Sequence, residues 1–556
     1  MKKFKIFTLC ALGLATAALT ACSDQSEEIT SILLNRNLSP IGLEATGVGE
    51  TTASFRWTQS LNATSYNLKI YADDSLSYNM DGNAVKEVNG ITPDQIPVTV
   101  DGLFFDTQYT VYVQAITDGN DSRTSTWNGA YFKTSTKQFL KNPKPAEISD
   151  RSVTLSWEVE EGFDVSTIVI GSITHEITAE EKAAGQATID GLTPETTYTA
   201  YLYYNGKQCG NRNFTTIADL AGATLVHPED DLKKLIEDEN LQDGTVFALY
   251  GGTYRLNATY DEETGELLST GAAKVYKNIT IKGIYPTDQP IIKGRFELYD
   301  GAGLSLSQVI INGLDNGTTD QIFNYKLDQA AAGTTFGALD IQNCEIFGRS
   351  DGKGLIYLNV QAAVESINVK NSIVHGIECS GGDFIDSRTG YPKQINLIES
   401  TFYTVASTRD FIRVDDASGN FAGVAGPQVK VDHCTLYNVG AGSSSGAANY
   451  RLLYVRFAGN KLTFTNNIVV GTTYKRGFTN QSSSDQEPTL QNNYYFNCQN
   501  LTSAGTGADA TIQWFDENGT IGDPGFADPD KGDFTLNVDG AAYKGEAGDP
   551  RWRTAQ

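Results

Sequence analysis

A short phrase that recurs six times between residues 339 and 496 constrains the fold of this chain more than any other feature. Each copy begins with an apolar residue, and the copies occupy residues 339–344, 367–372, 395–400, 429–434, 462–467 and 488–493. Their fifth positions are Asn343, Asn371, Glu399, His433, Asn466 and Asn492. The successive steps are therefore 28, 28, 34, 33 and 26 residues. A strand-sized unit repeated in this way is typical of a solenoid, whose coils bury their apolar faces against one another. Because the repeat shows almost no helical pattern, it predicts a parallel β-helix.

A second strand follows the phrase in the repeats, at residues 355–359, 384–388, 411–415 and 452–456. Side chains alternate between the two faces of a strand, so one face is expected to point into the core and the other outward. The predicted core positions are Ile356, Leu358, Ile385, Ser387, Ile412, Val414, Leu453 and Val455. The predicted outward positions form three columns, which are Leu355, Phe384, Phe411 and Leu452, then Tyr357, Asp386, Arg413 and Tyr454, then Asn359, Arg388, Asp415 and Arg456.

The outward positions combine side-chain types that recognise an acidic sugar. Arginine pairs with a carboxylate through two hydrogen bonds, tyrosine offers a flat face to a pyranose ring, and clustered aspartates can hold Ca²⁺. The candidate ligand-binding residues are Tyr357, Asn359, Asp386, Arg388, Arg413, Asp415, Tyr454 and Arg456. Asp386 and Asp415 are candidate ligands for Ca²⁺, although the pattern requires no cofactor. In the competing interpretation, the charged residues form only an ion ladder between coils.

The sequence leaves open whether this face also cleaves its ligand. β-Elimination on a uronate needs a base at C5, and the candidate catalytic residues are Arg388, Arg413 and Arg456. Hydrolysis needs two carboxylates that flank the scissile bond. The adjacent pair Asp415 and Asp416 is poorly suited to this, because neighbouring strand residues point to opposite faces. No compact catalytic motif is evident, so binding without cleavage is the favoured interpretation.

The charge of the chain excludes one class of partner. The 42 Lys and Arg residues face 67 Asp and Glu residues, which gives a net charge of −25. Nucleic-acid binding needs a basic surface, so no nucleic-acid partner is expected. The same charge opposes a polyanionic ligand unless local cations or bridging metal ions compensate it. The length of 556 residues indicates several domains.

The N-terminus has the pattern of an export signal. Lysines at positions 2 and 3 and an apolar run at 6–18 precede the sequence Leu-Thr-Ala-Cys, which ends at Cys22. This sequence resembles the lipobox of bacterial lipoproteins. The resemblance implies cleavage before Cys22 and lipidation of its side chain, and an ordinary signal peptide cut nearby is the alternative.

Two segments before the solenoid resemble fibronectin type III domains. In each of them an early strand ends in a tryptophan, Trp57 in the first and Trp157 in the second. A later Gly-Leu turn leads to a tyrosine, Tyr109 in the first and Tyr198 in the second, that matches the corner tyrosine of this family. The resemblance implies two β-sandwiches in which these aromatic residues are structural and the domains act as spacers.

The two ends of the solenoid also resemble known proteins. A predicted helix at 227–236, followed by a strand and a Gly-Thr-Tyr turn at 244–254, resembles the N-terminal cap of pectate lyase-like β-helices. Residues 523–536 and 548–552 resemble the end of β-helix lipoproteins encoded in Bacteroidetes polysaccharide-utilisation loci. This resemblance implies glycan capture by a lipid-anchored protein of the outer membrane that faces the cell exterior. It also implies other outer-membrane glycan-uptake proteins as partners.

The sequence therefore predicts an all-β chain, with two fibronectin type III-like β-sandwiches followed by a right-handed parallel β-helix with an N-terminal capping helix. The predicted function is binding of a plant-type, pectin-like polysaccharide for uptake or degradation. A polysaccharide lyase or hydrolase acting on the same substrate is the first alternative, and a surface adhesin is the second. The predicted segments are a signal peptide at 1–21, a tether at 22–38, sandwiches at 39–137 and 138–217, and the β-helix at 218–556.

Overall fold

The computed structural model describes most of the chain between residues 36 and 553. The described residues are 36–73, 80, 82–117, 123–160, 163–314, 316–442, 450–474, 476–479, 487–498, 501–503 and 513–553. The predicted signal peptide, Cys22 and most of the tether lie outside these ranges. The chain divides into two compact units, one made of residues up to 139 with 202–211, the other of 140–201 with those from 212 onward.

The first β-sandwich is built from two antiparallel sheets. Its described strands are β1 (Ile41–Val48), β2 (Ala53–Thr58), β3 (Ser65–Ala72), β4 (Lys86–Ile91), β5 (Val98–Val100), β6 (Gln108–Ile116) and β7 (Asn128–Lys133), with a 3₁₀ turn at Pro93–Gln95. The sheet orders are β1-β2-β5 and β4-β3-β6-β7. Trp57 is buried between the sheets, and the Tyr109 hydroxyl accepts a 2.7 Å hydrogen bond from the N–H of Phe104. The predicted structural roles of Trp57 and Tyr109 are confirmed.

The second β-sandwich repeats this plan. Its described elements are a 3₁₀ turn at Pro145–Glu147, β8 (Ser152–Ser156), β9 (Thr167–Ile170), β10 (Ile173–Glu176), α1 (Ala179–Ala184), β11 (Gln186–Asp190), β12 (Thr197–Tyr204) and β13 (Lys207–Thr215). The sheet orders are β10-β9-β12-β13 and β11-β8. Trp157 is buried, and the Tyr198 hydroxyl accepts a 2.9 Å hydrogen bond from the N–H of Thr193. These are again the predicted roles.

The rest of the chain winds through strands that are short and numerous. The first of them are β14 (Thr224–Val226), β15 (Thr245–Leu249), β16 (Thr253–Arg255), β17 (Thr259–Tyr260), β18 (Leu267–Ser269), β19 (Ala272–Val275), β20 (Ile279–Gly283), β21 (Ile291–Lys293), β22 (Arg295–Tyr299), β23 (Leu304–Ser307), β24 (Ile310–Asn312), β25 (Phe323–Lys326) and β26 (Thr335–Phe336). The repeated region follows with β27 (Leu339–Gln342), β28 (Glu345–Phe347), β29 (Ile356–Leu358), β30 (Ala363–Val364), β31 (Ile367–Lys370), β32 (Ile373–His375), β33 (Ile385–Ser387), β34 (Tyr391–Pro392), β35 (Gln394–Ile398), β36 (Thr401–Tyr403), β37 (Ile412–Val414), β38 (Gln428–Asp432), β39 (Thr435–Tyr437), β40 (Arg451–Val455), β41 (Lys461–Thr465), β42 (Ile468–Val470), β43 (Arg476–Thr479), β44 (Thr489–Gln491) and β45 (Tyr494–Phe496). The last two are β46 (Gln513–Trp514) and β47 (Thr520–Ile521).

Most of these strands stack into three long sheets, which we name A, B and C, while β17-β18 and β26-β30-β34 form two small sheets. Sheet A has the order β14-β15-β20-β23-β27-β31-β35-β38-β41-β44, sheet B the order β16-β21-β24-β28-β32-β36-β39-β42-β45-β47, and sheet C the order β19-β22-β25-β29-β33-β37-β40-β43-β46. Neighbouring strands are parallel except for the antiparallel pair β43–β46. The repeated phrases are strands of sheet A and stack in register, with Leu339 beside Ile367 and Ile367 beside Ile395. The predicted parallel β-helix is confirmed.

A sharp bend between sheets A and B turns each coil. The residues at its outer corner, Asn343, Asn371, Glu399, His433, Asn466 and Asn492, all have φ between 46° and 57°. Asparagine tolerates this left-handed conformation better than most residues, which explains why the fifth position of the phrase favours it. The next position is buried, and its side chain bonds to the preceding coil. Its side chain accepts a hydrogen bond from a backbone N–H, as Ser400 does from Ser372 at 3.1 Å and Asn467 does from Cys434 at 2.8 Å.

The N-terminal end of the solenoid is closed by a helix that is shorter than predicted. Helix α2 covers Leu232–Ile236, and Asp231 caps it by accepting a 3.0 Å hydrogen bond from the N–H of Lys234. The preceding residues form a turn instead, because the Asp230 carboxylate accepts a hydrogen bond from the N–H of His227 at 2.7 Å. Leu232 and Ile236 are buried in the solenoid core, so the helix covers the apolar end of the first coil.

The C-terminal segment lies along the outer face of sheet B. It contains 3₁₀ turns at Pro529–Lys531 and Pro550–Trp552 and helix α3 (Ala541–Lys544). Leu536 and Ala547 pack against Ile468 and Val470 of β42. The indole N–H of Trp552 donates a 2.7 Å hydrogen bond to the Thr401 hydroxyl of β36. This part of sheet B is therefore covered by the chain itself.

The predicted direction of one column of sheet C was wrong. Leu355, Phe384, Phe411 and Leu452 were expected to point outward, but all four are buried in the core. The N–H groups of Leu355 and Ile356 both donate to the carbonyl of Phe384, so the regular ladder is interrupted at the start of the strand. Strict alternation therefore begins one residue later, and the rings of Phe384 and Phe411 stack inside at 5.1 Å.

We expect replacement of Asn467 by leucine to lower the free energy of unfolding of the β-helix by about 3 kcal/mol. Asn467 is fully buried, accepts from the N–H of Cys434 and donates to the carbonyl of Val431 at 3.0 Å. Each buried backbone group left without a partner costs about 1–3 kcal/mol. Urea unfolding of the β-helix measures the effect, with Lys461→Leu on the exposed side of β41 as control. Equal unfolding midpoints for the two variants would contradict the stabilising role of the hydrogen bonds that the Asn467 side chain makes to the preceding coil.

Candidate functional site

The outer face of sheet C carries two columns of polar and aromatic side chains. In register order the first column is Lys274, Glu297, Asn324, Tyr357, Asp386, Arg413 and Tyr454. The second column consists of Tyr299, Lys326, Asn359, Arg388, Asp415 and Arg456. The backbone N–H groups of the last three donate to carbonyl groups of the preceding coil, which continues the hydrogen bonding between strands beyond the strand ends. The structure thus places all eight predicted ligand-binding residues on one face. Their role in binding stays a prediction.

Arg388 joins two buried aspartates on this face. Its guanidinium donates to Asp383 at 2.7 Å and to both carboxylate oxygens of Asp386, one of them at 3.1 Å. Asp383 and Asp386 are only 1% and 2% exposed. Arg413 of the next coil lies 3.5 Å from Asp383 and gives it a second positive neighbour. These carboxylates are therefore neutralised by the protein's own arginines.

Asp415 is the second centre of the charge network. Arg413 donates to its two oxygens at 2.8 Å and 3.1 Å, and Arg456 approaches it to 2.7 Å from the next coil. Arg388 lies 3.8 Å away on the other side. Asp415 thus ties three coils together. This arrangement agrees with the ion-ladder interpretation and leaves these arginines little freedom to bind a ligand carboxylate.

Tyr454 and Asn359 lie at the edges of the network. The guanidinium groups of Arg451, Arg456 and Arg413 lie 4.0, 5.1 and 5.2 Å from the centroid of the Tyr454 ring. Such cation–π contacts occupy the ring with the protein's own cations. Tyr454 is therefore a poor platform for a sugar. Asn359 is exposed, and its side-chain oxygen accepts a 3.4 Å hydrogen bond from the Thr389 hydroxyl.

Burial and pairing set the pKa values of the network in opposite directions. Burial, together with the charge of Asp386, raises the pKa of Asp383, and burial beside Asp383 raises the pKa of Asp410 to about 7. Burial also tends to raise the pKa of Asp415, but hydrogen bonds from Arg413 and Arg456 outweigh it and lower this pKa. The network is thus ionised around Asp415 and prone to protonation at Asp410.

The arginines themselves are held in the charged state. Burial tends to lower the pKa of Arg388 and of Arg413, but the hydrogen bond to Asp386 raises the first and that to Asp415 raises the second. A general base must be unprotonated before it can take a proton. This electrostatic setting opposes the predicted role of Arg388 and Arg413 as catalytic bases.

A cleft of about 360 Å³ opens on this face beside Tyr357. Its lining includes three predicted residues, which are Tyr357, Asp386 and Arg388, and five that were not predicted, which are Asp320, Gln321, Asn324, Lys326 and Lys353. Gln321 and Asn324 are 3% and 2% exposed, so their amides form the floor of the cleft. Gly382 belongs to its wall, where an added Cβ would meet the Lys353 carbonyl at 2.5 Å and the Gln321 amide at 2.9 Å.

The two lysines of the cleft differ in their partners. The ammonium group of Lys353 donates to Asp320 at 2.7 Å, and the buried Arg295 lies 4.0 Å from the same carboxylate. Burial tends to raise the pKa of Asp320, but the hydrogen bond and charge of Lys353 and the charge of Arg295 lower it. Lys326, in contrast, makes no ion pair with any residue in the described part of the chain.

The five additional residues lie outside the repeats that the sequence analysis used. Asn324 and Lys326 belong to β25, one coil before the first second-strand segment that was recognised. Its sequence, Phe-Asn-Tyr-Lys, has the same alternation as Ile-Tyr-Leu-Asn at 356–359, and that match would have added both residues to the columns. Asp320, Gln321 and Lys353 come from bends, where no strand pattern marks them.

The predicted Ca²⁺ ligands are engaged by arginines. Asp386 and Asp415 both accept hydrogen bonds from guanidinium groups, which occupy the oxygens that a metal ion would need. Across the ranges that the structure describes, no group of three or more His, Cys, Asp or Glu side chains has the geometry to hold a metal ion.

Comparison with known proteins adds information on three parts of the chain. Residues 38–128 match the sequence model of the fibronectin type III domain. The chain contains a fibronectin type III domain. Residues 253–405 match a domain of unknown function, DUF4957, and residues 429–552 match another, DUF5123. Both lie in the β-helix, and neither description assigns it an activity.

Several solved structures are similar to the fibronectin region. A two-domain fibronectin type III segment of chicken tenascin is 19% identical, covers 32% of this chain and 97% of its own, and gives a TM-score of 0.23. A domain of human collagen alpha-1(XX) is 25% identical over 18% of this chain and 88% of its own, with a TM-score of 0.15. The fibronectin array of RIM-binding protein is 14% identical over 33% and 69%, with a TM-score of 0.14. These similarities concern the sandwiches and say nothing about the cleft.

We expect Asp410→Asn to stabilise the protein above pH 7 and to change little near pH 4. Asp410 is flanked by Asp383 and by Arg413 and Arg451, and its pKa is raised from 3.8 to about 7. The folded state therefore retains a proton that the unfolded state loses, and the free energy of unfolding of the natural protein falls as the pH rises from about 4 to about 7. Asparagine avoids this penalty and can still accept from the N–H of Arg451.

Thermal unfolding of the variant and of the natural protein, at about pH 4.5 and at about pH 8, measures the difference in their stability at the two ends of this pH range. The control is Asp416→Asn, since Asp416 is exposed on the adjacent turn. A variant that is less stable than the natural protein at pH 8 would show that Asp410 is needed in its charged form.

Proposed function

We propose that this chain is a cell-surface lipoprotein whose pectate lyase-like β-helix binds a pectin-like polysaccharide along the outer face of sheet C. The observation that carries the proposal is the cleft beside Tyr357. It combines one half-buried aromatic ring with two buried amides, Gln321 and Asn324, and with lysine side chains. Amides bind sugar hydroxyls, an aromatic ring packs on a pyranose, and cations attract uronate carboxylates.

Two features favour an extended ligand. The cleft is one part of a longer polar face whose columns run along the stack of coils. Successive coils are about 4.8 Å apart, so a linear polymer lying on the face would meet a new row of side chains at each coil. The outer face of sheet B offers less room for such a ligand, because the C-terminal segment covers it at β36 and β42.

Binding fits this face better than cleavage. A lyase would need one of Arg388, Arg413 or Arg456 as an unprotonated base, whereas the first two have raised pKa values and the third pairs with Asp415. A hydrolase would need two carboxylates free to face the scissile bond. Asp386 and Asp415 are instead held by arginines.

The proposed location rests on the sequence. The lipobox-like residues that end at Cys22 indicate a lipid anchor in the outer membrane, and the two sandwiches would act as spacers between the anchor and the β-helix. Within the described residues no helix is long and apolar enough to cross a membrane. Captured polysaccharide would then pass to other outer-membrane glycan-uptake proteins.

The test combines a binding assay with a cleavage assay on the chain without its signal peptide and Cys22. Affinity electrophoresis in polygalacturonate and in rhamnogalacturonan, with and without Ca²⁺, reports retention. Ultraviolet absorbance reports the unsaturated product of a lyase. Retention without product supports the proposal. Product that disappears in variants of Arg388, Arg413 or Arg456 would make the protein a lyase. No retention on acidic or neutral glycans would favour the surface-adhesin alternative.

We expect Tyr357→Ala to weaken polysaccharide binding by about tenfold, since it removes the ring that faces the cleft. The matched control is Tyr260→Ala, because Tyr260 is 54% exposed on the β17–β18 hairpin, outside the cleft. Affinity electrophoresis compares both variants with the natural protein. If the two substitutions weaken binding equally, Tyr357 has no specific part in recognition.

A further inference from the structure

We infer that the cleft selects a free carboxylate through Lys326, and that the arginines of the face serve the fold as internal counter-ions. This inference rests on the proposed function, and it names the residue and the chemical group by which an acidic polysaccharide is recognised. The ligand group is an ionised uronate carboxylate, not a neutral sugar or a methyl ester.

The arginines of this face are already paired with carboxylates of the chain. Arg388 is held by Asp383 and Asp386, and Arg413 and Arg456 converge on Asp415. A ligand carboxylate that approached one of these groups would have to compete with a fixed, partly buried carboxylate at hydrogen-bond distance. Breaking such a buried pair leaves an uncompensated charge, which is costly. The arginines are therefore poor partners for a second anion.

The two lysines of the cleft differ in the charges that surround them. Lys353 is held by Asp320, so these two side chains together add no net charge to the cleft. Lys326 also lines the cleft and has no carboxylate within ion-pair distance among the described residues. The carboxylate of Asp300, which lies near the backbone of Lys326, instead accepts hydrogen bonds from the N–H groups of residues 328–330. Lys326 is thus the cation of the cleft whose charge is left for a ligand.

Lys326 lies close to Asn324 and Tyr357 on the outer face of sheet C. Lys326 and Asn324 lie two residues apart on β25, so both side chains point outward from the same face. Tyr357 is the register partner of Asn324 on the next coil. A sugar ring packed on Tyr357 would therefore have the Asn324 amide beneath it and the Lys326 ammonium group to one side. This set positions one pyranose and its C6 carboxylate.

Two consequences separate this site from a non-specific cationic patch. The chain carries a net charge of −25, so long-range attraction of a polyanion is not expected, and selectivity must come from the local contact. Esterification removes the charge of the sugar carboxylate but keeps its oxygens and the ring. Binding that depends on Lys326 should therefore distinguish the acid from its methyl ester, and should weaken as ionic strength rises.

The experiment measures binding of the chain without its signal peptide and Cys22 to polygalacturonate and to its methyl ester. The variants are Lys326→Met, which keeps the length of the side chain, and Lys326→Arg, which keeps its charge. The control is Lys370→Met, which removes a half-exposed lysine on the outer face of sheet A. Matching thermal unfolding curves establish that each variant is folded. We expect Lys326→Met to lose about tenfold in affinity for the acid and none for the ester. Lys326→Arg and Lys370→Met should keep the preference for the acid.

Each other outcome has a defined meaning. If the natural protein binds the acid and Lys326→Met keeps the same affinity and the same preference over the ester, the inference is wrong and the proposed function stands. If the natural protein binds acid and ester equally, the carboxylate is not the recognised group, and the inference is again wrong. If the natural protein binds neither polymer, both the inference and the proposed pectin-like substrate are overturned.

Discussion

The bend between sheets A and B is the constraint on which the rest of the solenoid depends. Each coil must bend sharply within two residues while its backbone stays in register with the coils on both sides. The left-handed corner residue supplies the turn, and the side chain of the buried residue after it bonds to the preceding coil, as Asn467 does to Cys434 and Asn493 does to Asn467. A buried backbone group without a hydrogen-bond partner would raise the free energy of the folded state. The corner residue and the hydrogen bonds of the buried residue after it therefore fix the register of sheet A together. Sheets B and C then inherit that register.

The fixed register determines the chemistry of sheet C. Because parallel strands stack without offset, a residue type at one position of the coil is placed directly beside its equivalent on the next coil. Opposite charges then meet at contact distance, as Asp415 meets Arg456 of the next coil at 2.7 Å, and form a network that holds coils together and is partly buried. The same stacking leaves an opening where the pairing pattern changes, between the coils of Asn324 and Tyr357. The cleft thus interrupts a face on which the charged side chains otherwise pair with one another.

Much of this architecture could be predicted because it follows from local patterns. The spacing of the phrase predicted the parallel β-helix, the corner tyrosines Tyr109 and Tyr198 predicted the sandwiches, and alternation placed eight polar residues on one face of sheet C. The errors occurred where the pattern is interrupted. Phe384 and Phe411 turn inward because the ladder is irregular at the start of their strands, and the N-terminal helix begins late because Asp230 closes a turn. Alternation and helix propensity cannot anticipate such contacts, which involve backbone groups of other coils or turns.

The sequence by itself determined the repeat, the order of the domains and the outward placement of eight polar or aromatic residues on sheet C, because periodicity along a strand depends only on backbone geometry. Only the tertiary structure decided which charges remain for a ligand. The arginines that the sequence singled out are neutralised by Asp383, Asp386 and Asp415, whereas Lys326, which the sequence did not single out, lines a cleft without an ion-pair partner among the described residues. The physical reason is that pairing between charges depends on distances across coils, and those distances exist only once the coils are stacked.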